Sequence, residues 1–210
     1  MTTPTPESTL QVRFLTGRSD RSTTALSPAQ HAFLDALPLD EAERVRVNFP
    51  YAPAAGPWRK VPLPVASVRN ARDYLGARRR AFATRHTADV RAALAGADRQ
   101  LVLAGSCGLE LLGGLRLDDE TLARVHVVAY GPVARRRPPV SLETVVGDRD
   151  GIASRRRLGE PDHRIAAGHL DYLASPVFRE IVVAAIGRLR AEAASSEASA
   201  PVPSPAERLA

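Results

Sequence analysis

Short, almost continuously apolar runs recur along this chain, and longer stretches of mixed polarity separate them. Leu101-Val102-Leu103-Ala104 and the segment Val125 to Tyr130 are the clearest. A strand with one wet face alternates apolar and polar residues, so runs without that alternation belong to strands buried on both sides. Such strands, with helical stretches between them, predict an α/β chain: a mostly parallel sheet with helices on both faces. The expected strands are Gln11 to Thr16, Val45 to Phe49, Leu101 to Ala104, Val125 to Tyr130, Leu142 to Val146 and Ile165 to Ala167. Helical composition covers Pro28 to Leu37, residues 65 to 95 with a break near Gly76, a helix opening at Leu109, and Val177 to Leu189. In sheets of this kind functional residues gather beyond the carboxyl ends of the strands. The loops after Thr16, Phe49, Ala104, Tyr130, Val146 and Ala167 therefore carry the search for a site.

Composition narrows the setting. Residues 1 to 9 are Thr/Pro-rich and residues 191 to 210 are rich in Ala, Ser and Pro, too poor in large apolar side chains to offset the entropy of ordering. Both are expected to be disordered tails around one folded domain, residues 10 to 190. The single cysteine excludes an internal disulfide framework and a multi-Cys zinc site, and the five scattered histidines have no metal-ligand spacing. No cofactor and no metal is expected. The chain opens Met-Thr-Thr-Pro-Thr-Pro-Glu, without the basic start and apolar run of about 7 to 15 residues that a secretion signal needs. No apolar run approaches the roughly 18 residues that span a bilayer. A cytoplasmic location with no membrane partner is expected.

Charge is less decisive. The formal net charge is +6, and every basic residue except Lys60 is Arg. Aromatic residues make up only 5% of the chain, few for stacking on unpaired bases, which argues against a nucleic-acid partner. Three triplets, Arg78 to Arg80, Arg135 to Arg137 and Arg155 to Arg157, read either as solvated surface or as attraction for an anionic partner. Glu110 is explained as a charge in the first turn of a helix. His31, His86, His126 and His163 read as surface or packing residues.

The most informative stretch is Leu101-Val102-Leu103-Ala104-Gly105-Ser106-Cys107-Gly108-Leu109-Glu110-Leu111-Leu112: an apolar strand, a turn of small residues with a nucleophile, then a helix. It resembles the nucleophile elbow of the α/β-hydrolase family, whose usual form is G-x-S-x-G. The positions two before and two after the nucleophile must be small, because helix and strand approach closely there. With Ser106 as nucleophile these are Ala104 and Gly108. With Cys107 they are Gly105 and the bulky Leu109, so sterics favour Ser106 and keep Cys107 as the alternative nucleophile. A tight strand-to-helix crossover without chemistry has the same local pattern.

The family places its acid and its histidine later in the chain, each at a strand end. Gly147-Asp148-Arg149-Asp150 looks like the family's G-x-x-D loop, so the resemblance makes Asp150 the triad acid, with Asp148 as fallback. Ile165-Ala166-Ala167-Gly168-His169 resembles the family's histidine segment, making His169 the base. The resemblance also implies an oxyanion hole from the backbone N–H groups of Cys107 and Arg18, the latter in Thr16-Gly17-Arg18-Ser19 where the family often has His-Gly.

The whole resembles a minimal α/β-hydrolase fold, without early antiparallel strands and without a lid inserted after Tyr130. Any cover is expected from the Pro-rich loop around Trp58 or from the helix 65 to 82. The implied activity is hydrolysis of an ester, thioester or lactone through an acyl-enzyme, with the acyl group free or carried on coenzyme A or an acyl carrier protein. Two alternatives stand beside it: a Cys107 enzyme acting on thioesters or dienelactone-like substrates, and a non-catalytic binding protein on the same fold. Anionic handles are expected at Arg135 to Arg137, beyond a strand end.

Overall fold

The computed structural model describes residues 9–153 and 158–198. Five strands form one sheet: β1 Leu10–Leu15, β2 Arg99–Gly105, β3 Val125–Tyr130, β4 Ser141–Gly147 and β5 His163–Ile165. They lie side by side in chain order, and every neighbouring pair is parallel. Six α-helices accompany them: α1 Pro28–Asp35, α2 Leu63–Gly76, α3 Arg80–Leu94, α4 Gly108–Leu115, α5 Asp119–Ala123 and α6 Pro176–Ala198.

Successive side chains of the central strands go to opposite faces, which is why those strands show no polar alternation. Leu101, Leu103, Val128 and Tyr130 pack with Phe33 and Leu34 of α1 and with Phe178, Val182 and Ile186 of α6. Val102, Ala104, Val127 and Ala129 pack on the other face with Val90 and Leu94 of α3 and with Leu109, Leu111 and Leu115 of α4. This is an α/β architecture with helices on both faces of an all-parallel sheet.

Local sequence explains several boundaries. Ser27 and Gln30 form a reciprocal capping box at the start of α1, with Pro28 in the first turn, where its missing N–H costs nothing. Asp118 caps α5 by accepting from the Thr121 N–H.

Three elements differ from expectation, the first being β5, which spans His163–Ile165 rather than Ile165 to Ala167. α6 runs on through Ala198, beyond the boundary at 191, because the Ala/Glu-rich stretch that follows is good helix former even without large apolar residues. Residues 1–8 and 199–210 of the expected tails lie outside the described residues. The segment Val45 to Phe49 is not a strand. It makes isolated bridges, Val12 with Arg44 and Ala25 with Val47, and the Val45 N–H donates to the Val12 carbonyl at 3.0 Å. Its pairing ends where the side chain of Asn48 takes over: Oδ1 accepts from the Thr16 N–H at 3.0 Å and Nδ2 donates to Thr16 Oγ1 at 2.8 Å. Residues 44–47 thus lie along the outer edge of β1, while the chain later returns to β2 on its other side. The loops after β1 and β2 leave in opposite directions, which opens a crevice between them at the carboxyl edge of the sheet.

A close contact fixes that crevice. A Cβ on Gly108, the first residue of α4, would lie 1.9 Å from the Leu15 carbonyl oxygen and 3.5 Å from Ala104 Cβ. Gly108→Ala is therefore expected to cost ~3 kcal/mol or more, since backbone rather than a flexible side chain must yield. Gly113→Ala, on the same helix with open space around it, is expected to gain up to ~1 kcal/mol. Urea denaturation of the two variants checks the contrast, and equal stabilities would contradict it.

Candidate functional site

Ser106 follows β2 directly and takes a left-handed backbone conformation, φ 51°, in which a side chain other than glycine's is strained. The turn is held from both sides: the Ser106 N–H donates to the Tyr130 carbonyl at 3.2 Å, and the Val133 N–H donates to the Ser106 carbonyl at 2.8 Å. Strain that is over-determined in this way is a feature of functional turns. Its effect is to lift the Ser106 hydroxyl off the sheet edge while the backbone continues into α4.

The histidine arrives from the far side of the sheet, after β5. His169 Nε2 lies 3.2 Å from Ser106 Oγ and its Nδ1 lies 2.9 Å from Asp150 Oδ2. A carboxylate accepts, so Nδ1 carries the proton and Nε2 keeps its lone pair toward the serine hydroxyl. Asp150, after β4, is fully buried. Its Oδ1 accepts from the N–H groups of Ile152 at 3.0 Å and Ala153 at 2.9 Å, and its Oδ2 accepts from the Tyr172 hydroxyl at 2.8 Å as well as from His169. Burial alone would push this carboxyl up. The Ala153 N–H, His169 and the Tyr172 hydroxyl outweigh it and hold Asp150 below the usual carboxylate range.

Tyr172 does more than donate: its buried oxygen accepts from the Gly147 N–H at 2.8 Å, and burial followed by the neighbouring Asp150 raises its pKa. Tyr172 belongs to none of the motifs legible in the sequence. Its only signal was an aromatic residue three positions after the histidine, in the helical turn Tyr172–Ala174.

The other expected site residues fare differently. Cys107 is buried, and a Cβ on Gly17 would lie 2.7 Å from its sulfur, so the thiol points beneath the β1 loop. Burial, then the charge of Asp73, pushes the thiol up to about 12. The Cys107 N–H stands at the first turn of α4, where the helix itself offers no acceptor. The Arg18 N–H, expected as the second oxyanion donor, is spent elsewhere: it donates to Asp73 Oδ2 at 2.9 Å. Asp73, buried on α2, also accepts from the guanidinium groups of Arg18 and Arg21. Asp148 is exposed and pairs with Arg149 at 3.7 Å.

A cavity of about 580 Å³ opens over Ser106 and His169. Its cover is α2, which turns Leu63, Ala66, Ser67, Asn70, Ala71 and Tyr74 toward it, a spacing that follows one face of a helix. Trp58 is not among the lining residues. The Pro-rich loop is instead tied back toward α1, where Thr23 and Thr24 donate to the Gly56 and Ala52 carbonyls. Among the described residues, no Arg, Lys, Asp or Glu lines the cavity.

The arginines gather outside it. Arg135 lies on a separate groove of about 360 Å³ bordered also by Arg78, Arg116, Arg136 and Arg137. Glu110 anchors that groove: it accepts from the Arg135 backbone N–H at 2.9 Å and guanidinium at 3.0 Å, and from Arg78 at 3.1 Å. The triplet Arg155 to Arg157 lies outside the described residues. His126 and His163, expected as surface or packing residues, meet on one carboxylate, Glu143, which also pairs with Arg188. Among the described residues no cluster is suited to hold a metal ion, and no helix is long and apolar enough to cross a membrane.

The depressed Asp150 has a pH signature. Because its folded value lies below its ordinary one, ionised Asp150 stabilises the fold above the ordinary carboxyl pKa, and that contribution is lost as pH falls through the folded value. Tyr172→Phe removes one donor to the carboxylate and leaves the buried Gly147 N–H unpaired, at an expected cost of about 1–3 kcal/mol near neutral pH. The gap to the unmodified chain should narrow on the acid side, and denaturation midpoints that differ equally at both pH values would contradict this. For the buried thiol, iodoacetamide at about pH 8 is expected to leave native Cys107 unmodified and to alkylate it after denaturation. Rapid native labelling, read by mass spectrometry, would show the thiol to be accessible. No family model matches the chain, and no curated protein is similar enough to it to stand as a relative.

Proposed function

We propose that this chain is a small α/β-hydrolase that cleaves an ester, thioester or lactone through an acyl-enzyme on Ser106. The observation that carries this reading is the unbroken run of hydrogen bonds from Ser106 Oγ through His169 to a buried, ionised Asp150, seated beyond three separate strand ends. Ser106 Oγ attacks the substrate carbonyl while its proton passes to His169 Nε2. The imidazolium, held by Asp150, then protonates the leaving alcohol or thiol as the carbon–oxygen or carbon–sulfur bond breaks. Water attacks the acyl-serine by the same route, giving the carboxylic acid and restoring the Ser106 hydroxyl. The Cys107 N–H is placed to steady the oxyanion in both steps.

The cavity favours an uncharged, largely apolar acyl group, since α2 contributes mainly small and apolar side chains and no charged side chain among the described residues lines it. A carrier bearing phosphates, such as coenzyme A or an acyl carrier protein, would find its charge partner at the arginine groove rather than in the cavity. The Cys107 alternative loses support from the thiol's burial. A non-catalytic binding protein is the second reading, and one observation favours it: Asp73 occupies the Arg18 N–H that an oxyanion would use.

A fluorophosphonate probe discriminates. Labelling is expected on Ser106 and should be lost in Ser106→Ala. Asp150→Asn should reduce ester turnover by roughly 10⁴-fold, because the amide no longer fixes the histidine tautomer. Absence of both labelling and turnover in the unmodified chain would favour the binding protein, and labelling on Cys107 would favour the thiol enzyme.

A further inference from the structure

Of the three consecutive N–H groups after β1, two are spent on side chains. The Thr16 N–H donates to Asn48 Oδ1 at 3.0 Å, the Gly17 N–H faces the Cys107 sulfur, and the Arg18 N–H donates to Asp73 Oδ2 at 2.9 Å. The Arg18 N–H expected to complete an oxyanion hole is therefore spent, which leaves the Cys107 N–H as the expected backbone donor beside Ser106. One hydrogen bond to a developing alkoxide is a thin provision where two are the rule.

Directly above this gap stands a donor from another element. Asn70 lies on the cavity face of α2, half-buried. A Cβ on Gly17 would meet Asn70 Oδ1 at 2.7 Å and Cys107 Sγ at 2.7 Å, so the carboxamide and the residue after the nucleophile meet across Gly17 with no side chain between them. The carboxamide is weakly held. Its hydrogen-bond partner is the Ser19 hydroxyl, at 3.4 Å from Nδ2 and 3.5 Å from Oδ1. A half-turn of the amide exchanges these two long contacts and turns Nδ2 toward the Gly17 side.

We propose that the Asn70 carboxamide is the second oxyanion donor, acting opposite the Cys107 N–H in place of the backbone N–H of Arg18. The ion-paired Asp73, one turn away on the same helix, then has a structural purpose: by binding Arg18 and Arg21 it pins α2 over the β1 loop and holds Asn70 in reach. The inference rests on the hydrolase reading.

The test measures hydrolysis of p-nitrophenyl butyrate and affinity for phenylboronic acid, which forms a tetrahedral adduct with an activated serine. Asn70→Ala is expected to lower kcat by about 10²–10³-fold with KM changed less than about threefold, and to weaken the boronate in parallel. Asn70→Asp, nearly the same shape but without a donor, should be at least as impaired, and covers the case in which the alanine variant fails to fold. Arg72→Ala, at an exposed position of the same helix outside the cavity lining, should keep kcat. If the unmodified chain hydrolyses the ester while Asn70→Asp or Asn70→Ala keeps kcat within about threefold, this inference is overturned and the hydrolase reading stands. If kcat and boronate affinity fall but KM rises in proportion, Asn70 only shapes the cavity and the inference is likewise overturned. If the unmodified chain is inert to ester and fluorophosphonate alike, the hydrolase reading itself falls.

Discussion

Everything at this site depends on how closely α4 is allowed to approach β1. The absent side chain at Gly108 lets the first turn of the helix press against the Leu15 carbonyl. That approach leaves two residues, Ser106 and Cys107, to turn the chain from strand into helix, and it forces Ser106 into the left-handed region. A larger residue at 108 would push the helix outward and allow a relaxed turn. The serine would then no longer project toward the loops of β4 and β5. Packing on one face of the sheet thus sets the direction of a hydroxyl at its edge.

The second constraint is electrostatic. Asp150 is buried as deeply as the core around it, and an isolated carboxylate there would become neutral. Two backbone N–H groups on one oxygen and a tyrosine hydroxyl with an imidazole on the other keep it charged. Because Tyr172 also accepts from Gly147 in β4, the end of that strand, the acid loop and the histidine segment are tied through one oxygen atom. The His169 ring is consequently positioned by groups that are themselves fixed, which is what a proton-transferring residue needs.

These two constraints show why the sequence was legible in some places and opaque in others. The elbow could be read because its requirement is local: small residues at 104 and 108, and an apolar strand just before them. The order of Ser106, Asp150 and His169 could be read because each follows a strand, and strands announce themselves by their apolar runs. The segment 45 to 49 misled because its composition suits a strand, whereas its fate was decided by Asn48, which spends its side chain on Thr16. The Arg18 N–H was misassigned for the same kind of reason: its partner Asp73 is 55 residues away. Tyr172 stayed hidden because the bonds that give it meaning reach back to positions 147 and 150.

The cover helix draws these threads together. One face of α2 makes the roof of the cavity, while Asp73 on its inner side grips the loop that follows β1. On the proposed hydrolase reading, the Arg18 donor that this helix takes from the cavity floor is the one that Asn70 replaces. Asn70 is the polar side chain on that face that borders Gly17. Among the described residues the arginines stay out of the cavity lining. Arg18 and Arg21 pair with Asp73, and Arg78 and Arg135 with Glu110, so each carboxylate offsets part of the local charge. The charge of the chain is thereby left to act at longer range on whatever approaches, and the short-range chemistry is left to neutral donors.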